Sequence, residues 1–283
     1  MSLVQYGRAI KLSHSIFAMP FAIGAALLAS REATVTVTAF VLIVVCMVSA
    51  RSVAMGFNRI VDRDIDAINP RTADREIPAG KLSVRAATAY VVGSALIFVG
   101  ACALLNPLVL YLSPVALGVV CLYSLTKRFT ALCHLVLGVS LALAPTGAWL
   151  AIVGAYDVTP ALLSCAVATW VAGFDILYAC QDESFDRAQG LRSIPVALGV
   201  RRAMWLSAAL HVVTIGCLAA LPIVTSLGGW YVLGCVLIAA VLVYEHWIVR
   251  PDDLSRINKA FFDLNGYVSI VFLLFLGVDV LWG

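Results

Sequence analysis

N-R-I-V-D-R-D-I-D-A-I-N-P-R-T-A-D-R-E-I-P-A-G, from Asn58 to Gly80, is the most densely charged stretch of the chain and directly follows a long, mostly apolar run. Asn58, Asp62 and Asp66 recur every fourth residue. On a helix that spacing stacks side chains on one face. Stacked carboxylates repel unless a cation lies between them, and hard oxygen ligands of this kind suit Mg2+. Arg71, Arg75 and Lys81 follow closely. Acids that hold a metal beside bases that hold an anion make a site for a metal-bound phosphate or diphosphate. The plainer alternative is a solvated loop between two membrane helices, and one such stretch leaves the two readings even.

A second stretch shifts the balance. Y-A-C-Q-D-E-S-F-D-R-A-Q-G-L-R-S-I-P repeats the four-residue spacing at Asp182 and Asp186, each 120 positions after its counterpart. Both stretches continue into R-x-I-P, from Arg75 to Pro78 and from Arg192 to Pro195. The paired occurrence, each time after an apolar segment, is a strong signal.

The 283 residues are 62% hydrophobic and 12% charged, with mean hydropathy +0.99. Soluble domains carry about 25% charged residues, so this is an integral membrane protein with many spans. Eight cysteines are scattered through apolar segments with no C-x-x-C pair and no histidine in ligand spacing. They read as small buried hydrophobes. The four histidines give no zinc pattern, and no nucleic-acid partner is expected.

A span needs about 20 apolar residues. Nine candidates are present: roughly 12–30, 35–57, 84–104, 107–125, 130–153, 160–180, 203–223, 228–249 and 262–282. Arg8 and Lys11 precede an apolar run without a convincing small-residue cleavage site, so that run reads as the first span. No linker divides the chain, and residues 1–283 are expected to form one domain. With nine spans almost all basic residues fall on one side, and only Arg31 falls opposite. By the positive-inside rule that side is cytoplasmic and carries the N-terminus. Both acidic motifs then lie at the cytoplasmic ends of the second and sixth spans. Four helices separate the copies, so the repeat is parallel: about 1–128 and 129–250, with an extra helix at 262–282. The expected fold is all-α, a membrane bundle of about nine helices around a central cavity.

Other residues carry weaker signals. Tyr123 and Lys127 lie one helical turn apart at the end of the fourth span. On spacing alone Lys127 reads first as a snorkelling interfacial anchor and second as a diphosphate contact. Asp175 lies seven residues before Asp182 inside the sixth span, with Tyr178 between them on the same face. An acid within the hydrocarbon is a functional candidate by default. Asp64 points off the Asp62–Asp66 face, toward a neighbouring arginine or a second metal. Pro20 and Pro145 fall inside the first and fifth spans and are expected to kink them.

Taken together these residues resemble the UbiA-type membrane aromatic prenyltransferases. Asn58, Asp62 and Asp66 fit that family's N-D-x-x-D-x-x-x-D, with Arg59 where the family has aspartate. Tyr178, Ala179, Asp182 and Asp186 fit Y-A-x-x-D-x-x-x-D, and Tyr123 and Lys127 fit Y-x-x-x-K. Arg71, Thr72, Arg75, Pro78 and Gly80 fit R-T-x-x-R-x-x-P-x-G. The likeness covers essentially the whole chain, and its variants look like a bacterial inner-membrane subgroup acting on 4-hydroxybenzoate or in menaquinone synthesis.

The resemblance implies an isoprenyl diphosphate whose tail lies in lipid. It implies Mg2+ held by Asp62, Asp66, Asp182 and Asp186, with Asn58 orienting a ligand. Arg71, Arg75, Lys127, Arg192 and Tyr123 are then expected around the diphosphate. Lys11 or Arg71 is expected at an acceptor carboxylate, with Asp175 and Tyr178 lining the cavity. The acceptor is 4-hydroxybenzoate or a hydroxylated naphthoate. An ion-coupled transporter is the more distant reading, although transporters place polar sites near the midplane. A CDP-alcohol phosphotransferase lacks support, because no D-G-x-x-A-R is present.

Overall fold

The computed structural model describes residues 17–283. Lys11 and the start of the first expected span lie outside the described residues. The described chain is nearly all helical. In order the main helices are α1 (Met19–Ala29), α2 (Val37–Val61), α3 (Val84–Leu105), α4 (Pro107–Thr126) and α5 (Cys133–Val153), followed by α6 (Val158–Ala179), α7 (Val200–Thr225), α8 (Gly229–Ile248) and α9 (Asn265–Trp282). Among the described residues eight segments are long and apolar enough to cross a membrane. The first expected span, roughly 12–30, is represented among the described residues by the shorter apolar helix α1. The chain is therefore an integral, multi-pass membrane protein.

Helix starts follow from local chemistry. The side chains of Thr36, Ser83 and Asn106 accept hydrogen bonds from the backbone N–H three residues on, which satisfies one of the orphan donors at each N-terminus. Asp157 accepts instead from Val158 N. Gly154, at φ 74°, ends α5 in the left-handed conformation that favours glycine. Pro145 does lie inside α5. Pro20 does not kink the interior of α1: it sits in the first turn, where its missing N–H costs nothing.

Packing is centred on α6, which runs between α5 and α7. Its residues Ala166, Val167, Trp170, Val171, Ala172 and Ile176 are all completely buried. Lipid tails are as apolar as leucine, so helices in a bilayer associate through close packing at small residues. Gly138 on α5 shows this: an added Cβ would stand 2.2 Å from the carbonyl oxygen of Ala168 on α6. Outward faces carry large exposed apolar side chains, among them Leu104, Tyr111, Trp205 and Ile223, which a bilayer covers.

The loops after α2, α4 and α6 meet at one end of the bundle. Arg128 donates to Val61 O at 3.0 Å, and Arg192 N donates to Lys127 O at 2.7 Å. Arg31, the basic residue expected on the opposite side, lies at the other end of the bundle, where it ties the loop after α1 to the C-terminal end of α7 through Thr225 O at 2.8 Å.

Candidate active site

Asp62 caps the end of α2 with φ −88° and ψ 2°. This bridge-region conformation is sparsely populated and recurs at active sites. The helix breaks there, so Asn58, Asp62 and Asp66 do not share one continuous helix as their spacing implies. Asp66 instead rides on a separate helix of six residues, Arg63–Ile68. Asp66 N still donates to Asp62 O at 2.7 Å, which preserves the four-residue step. The short helix stops at Asn69, whose extended backbone is what a following proline demands. Asn69 Oδ1 then accepts from Arg71 N at 2.9 Å, an Asx turn that redirects the chain.

The second motif is built the same way. Asp182, at φ −98° and ψ 3°, links a single 3-10 turn to the six-residue helix Glu183–Ala188. Asp186 on that helix is buried, as are Asp62 and Asp66.

Arginines hold three of the four acids. Arg71 reaches from the first motif to the second, donating Nε to Asp182 Oδ1 at 3.1 Å and Nη2 to Oδ2 at 2.7 Å. Burial opposes the Arg71 charge, and the Asp182 carboxylate more than offsets this, so its pKa lies above the ordinary arginine value. Arg75 Nη1 donates to both oxygens of Asp66 at 2.7 Å. Arg128 Nη2 donates to Asp62 Oδ1 at 2.8 Å, and Asn58 Nδ2 donates to Asp62 Oδ2 at 2.8 Å. Among the described residues Asp186 has no ion pair, and its electrostatic neighbours include Lys127, Asp182, His134 and Arg71. A buried carboxylate needs a compensating positive charge. Hard carboxylate oxygens of this kind, one of them without an arginine, fit a divalent cation in their chemistry, while among the described residues no three acidic, histidine or cysteine side chains are grouped closely enough to hold one as they stand.

The family model for the UbiA prenyltransferase family matches residues 17–274. The chain belongs to this family. Its sequence is 32% identical over 235 residues to a 4-hydroxybenzoate octaprenyltransferase from Alkalilimnicola ehrlichii, covering 83% of this chain and 78% of that protein. A protein of the same description from Aromatoleum aromaticum is 30% identical over 229 residues, covering 81% and 77%. The apo structure of a UbiA homolog from Aeropyrum pernix superposes with TM-score 0.86 at 35% identity, covering 95% of this chain and 98% of that one. A UbiA homolog from Archaeoglobus fulgidus bound to GPP and Mg2+ shares the fold, with TM-score 0.74 at 20% identity over 98% and 99% of the two chains. Membership sets the transporter reading aside.

Within this UbiA fold, several expected residues fall where the motifs meet. Tyr123 lies within electrostatic reach of Asp62, Arg59 and Asp175. Tyr178 stands beside Asp182, with the Arg71 guanidinium 5.5 Å from its ring centroid. Arg192 behaves differently: its Nη1 donates to Phe129 O at 2.8 Å, so it braces two loops and forms no ion pair with the acids. Asp64 is exposed and pairs with Arg63 at 3.4 Å. Its side chain is 81% accessible, a solvated position outside any buried metal shell.

Two partners escaped the sequence. Arg128 neighbours Lys127 and reads as half of a dibasic anchor, yet it clamps Asp62. His134 is a lone histidine at the start of α5, yet its Nδ1 lies 2.7 Å from Asp175 Oδ2. Ile194 N donates to His134 Nε2 at 3.3 Å, which leaves the ring proton on Nδ1, donating to Asp175. No spacing rule links residues that far apart in sequence.

Proposed function

We propose that this chain transfers a polyprenyl group from a polyprenyl diphosphate to the aromatic ring of 4-hydroxybenzoate or a closely related aromatic acid, in the bacterial inner membrane and on its cytoplasmic side. The observation that carries the reading is the Arg71–Asp182 clamp. It ties the first acidic motif to the second, so that basic and acidic side chains of both lie together at the end of an apolar bundle. The names of the relatives support the acceptor, and the Archaeoglobus fulgidus homolog bound to GPP and Mg2+ supports the donor and the metal.

Asp62, Asp66, Asp182 and Asp186 would hold Mg2+, with Asn58 fixing the Asp62 carboxylate. The metal supplies Lewis-acid stabilisation of the leaving diphosphate. Arg71, Arg75 and Lys127 neutralise its oxygens, and the guanidiniums are well matched to them because their fork presents paired donors. The C1–O bond breaks and its electron pair leaves with the diphosphate. A ring carbon of the acceptor forms the new bond to C1, and in the overall balance the ring proton ends on the diphosphate. Apolar walls keep water from the allylic cation. Asp175, oriented by His134, lines the cavity. The similar construction of the two motifs supports two parallel halves, about 1–128 and 129–250, within one domain.

The test is a transfer assay on purified full-length protein with labelled polyprenyl diphosphate. It is run with Mg2+ or EDTA, offering 4-hydroxybenzoate and a dihydroxynaphthoate side by side. Metal-dependent prenylation of 4-hydroxybenzoate is expected. Folded protein that binds the diphosphate and prenylates neither acceptor would overturn the proposal.

A further inference from the structure

The last membrane-spanning segment is not a plain α-helix. Between Ile257–Lys259 and α9 the chain makes a π turn over Ala260–Leu264. Such turns are rare and gather at functional sites. Asn265 holds this one. Its amide is fully buried and donates to Ala260 O at 3.1 Å and to Glu245 Oε1 on α8 at 3.0 Å. Asn265 Oδ1 accepts from Trp170 Nε1 on α6 at 2.7 Å. Partners on two other helices thus hold the residue that fastens the turn.

The π turn delivers Phe261 to the site. Its ring lies 4.1 Å from the Tyr178 ring, tilted by 33°, and 5.3 Å from Phe174. Tyr178 stands one helical turn before Asp182, and both aromatic rings are half-buried. The Arg71 guanidinium lies 5.5 Å from the Tyr178 centroid while its nitrogens hold Asp182. A cation therefore already rests against the Tyr178 π system, and it is the same cation that holds the half-buried Asp182. Aromatic faces attract cations most strongly where water is excluded.

We infer that Tyr178 is a catalytic residue whose ring stabilises the allylic cation, and that Phe261, delivered by the π turn, is the positioning residue behind it. The inference rests on the transfer reading above. When the C1–O bond breaks, positive charge spreads over the allylic carbons while the electron pair leaves with the diphosphate. Arg71 follows the diphosphate oxygens, and the ring face it leaves is taken by the allylic carbons until the acceptor ring bonds to C1. The Tyr178 hydroxyl, 3.4 Å from Arg71 Nη1, is not needed for that role.

The experiment uses full-length protein, radiolabelled geranyl diphosphate, Mg2+ and 4-hydroxybenzoate. Tyr178 is replaced by Phe, by Leu and by mono-, di- and trifluorinated phenylalanines, which keep the shape of the ring while draining its π density. Tyr178→Phe is expected to stay within about threefold in kcat, and Tyr178→Leu to lose about 30-fold at nearly constant KM for the diphosphate. Across the fluorinated series log kcat should fall steadily. Phe261→Leu should lower kcat and send more of the prenyl group to free prenol, and Phe261→Tyr should restore both. A flat fluorine series, or Tyr178→Phe as damaging as Tyr178→Leu, overturns the assignment of Tyr178. Unchanged kcat and product partition in Phe261→Leu overturns the role of Phe261. Wild-type protein that forms no prenylated acceptor overturns the transfer reading itself, an outcome distinct from a flat series in an active enzyme.

Discussion

Asp62 and Asp182 share one backbone conformation, φ −88°, ψ 2° and φ −98°, ψ 3°, and each carboxylate is gripped by an arginine from a distant part of the chain. Arg128 holds Asp62 and Arg71 holds Asp182. Each aspartate leads into a six-residue helix that carries a further acid, Asp66 or Asp186, and this further acid is buried in both. The two motifs are thus alike in local geometry as well as in spacing, and Arg71 crosses between them.

Arg71→Ala should reduce kcat/KM for prenyl transfer about 100-fold, the usual scale for losing one charge-stabilising donor. Arg71→Lys should recover little, since an ammonium cannot reproduce the two-pronged contact with Asp182. Steady-state transfer kinetics check both, and an Arg71→Lys variant of full activity would refute the need for a fork.

Arg128 acts on stability as well as charge. It binds Asp62, Val61 O and Ser124 O, and so ties the end of α2 to the end of α4. Arg128→Ala leaves the buried Asp62 with Asn58 as its remaining side-chain partner. A loss of about 2 kcal/mol is expected, on the scale of hydrogen bonds to charged groups. Thermal unfolding in detergent, followed by loss of helical signal, reads the change.

Removing the metal should stop the reaction. EDTA is expected to abolish transfer and excess Mg2+ to restore it. Asp186→Asn should raise the Mg2+ needed for half-maximal rate roughly tenfold or more, because one of only a few charged oxygen ligands becomes neutral. Direct Mn2+ titration by electron paramagnetic resonance provides a second readout. Equal Mn2+ affinity in wild type and Asp186→Asn would remove Asp186 from the metal site.

Gly138→Ala should cost about 1–3 kcal/mol, the usual scale of overpacking. The new methyl meets the Ala168 backbone at 2.2 Å and must part α5 from α6. Gly147→Ala on the same helix is the control, because nothing lies within 4 Å of the added carbon. It should be neutral or slightly stabilising. Comparison of the two unfolding midpoints decides.

Much of this was readable in advance. Apolar length located α2 to α9, and the one-sided arginines placed the loops after α2, α4 and α6 at a common end. The 120-residue echo identified both acid pairs, because repeated spacing survives as a one-dimensional signal. Three things were not readable. The Arg128–Asp62 and His134–Asp175 pairs join residues far apart in sequence, and spacing rules see only neighbours on one element. The break at Asp62 is a backbone event inside a stretch whose four-residue spacing reads as one continuous helix. Phe261 was hidden because a π turn has no compositional mark, and without that turn its periodic position would differ.

The arginine clamps also bear on how such an enzyme lives in a cell. Carboxylates whose charge is already balanced within the protein do not force the loops apart when the ion is missing. Scarcity of magnesium would then idle the protein and leave it folded, out of reach of quality-control proteases. Output could resume as soon as the ion returned, without new synthesis or membrane insertion.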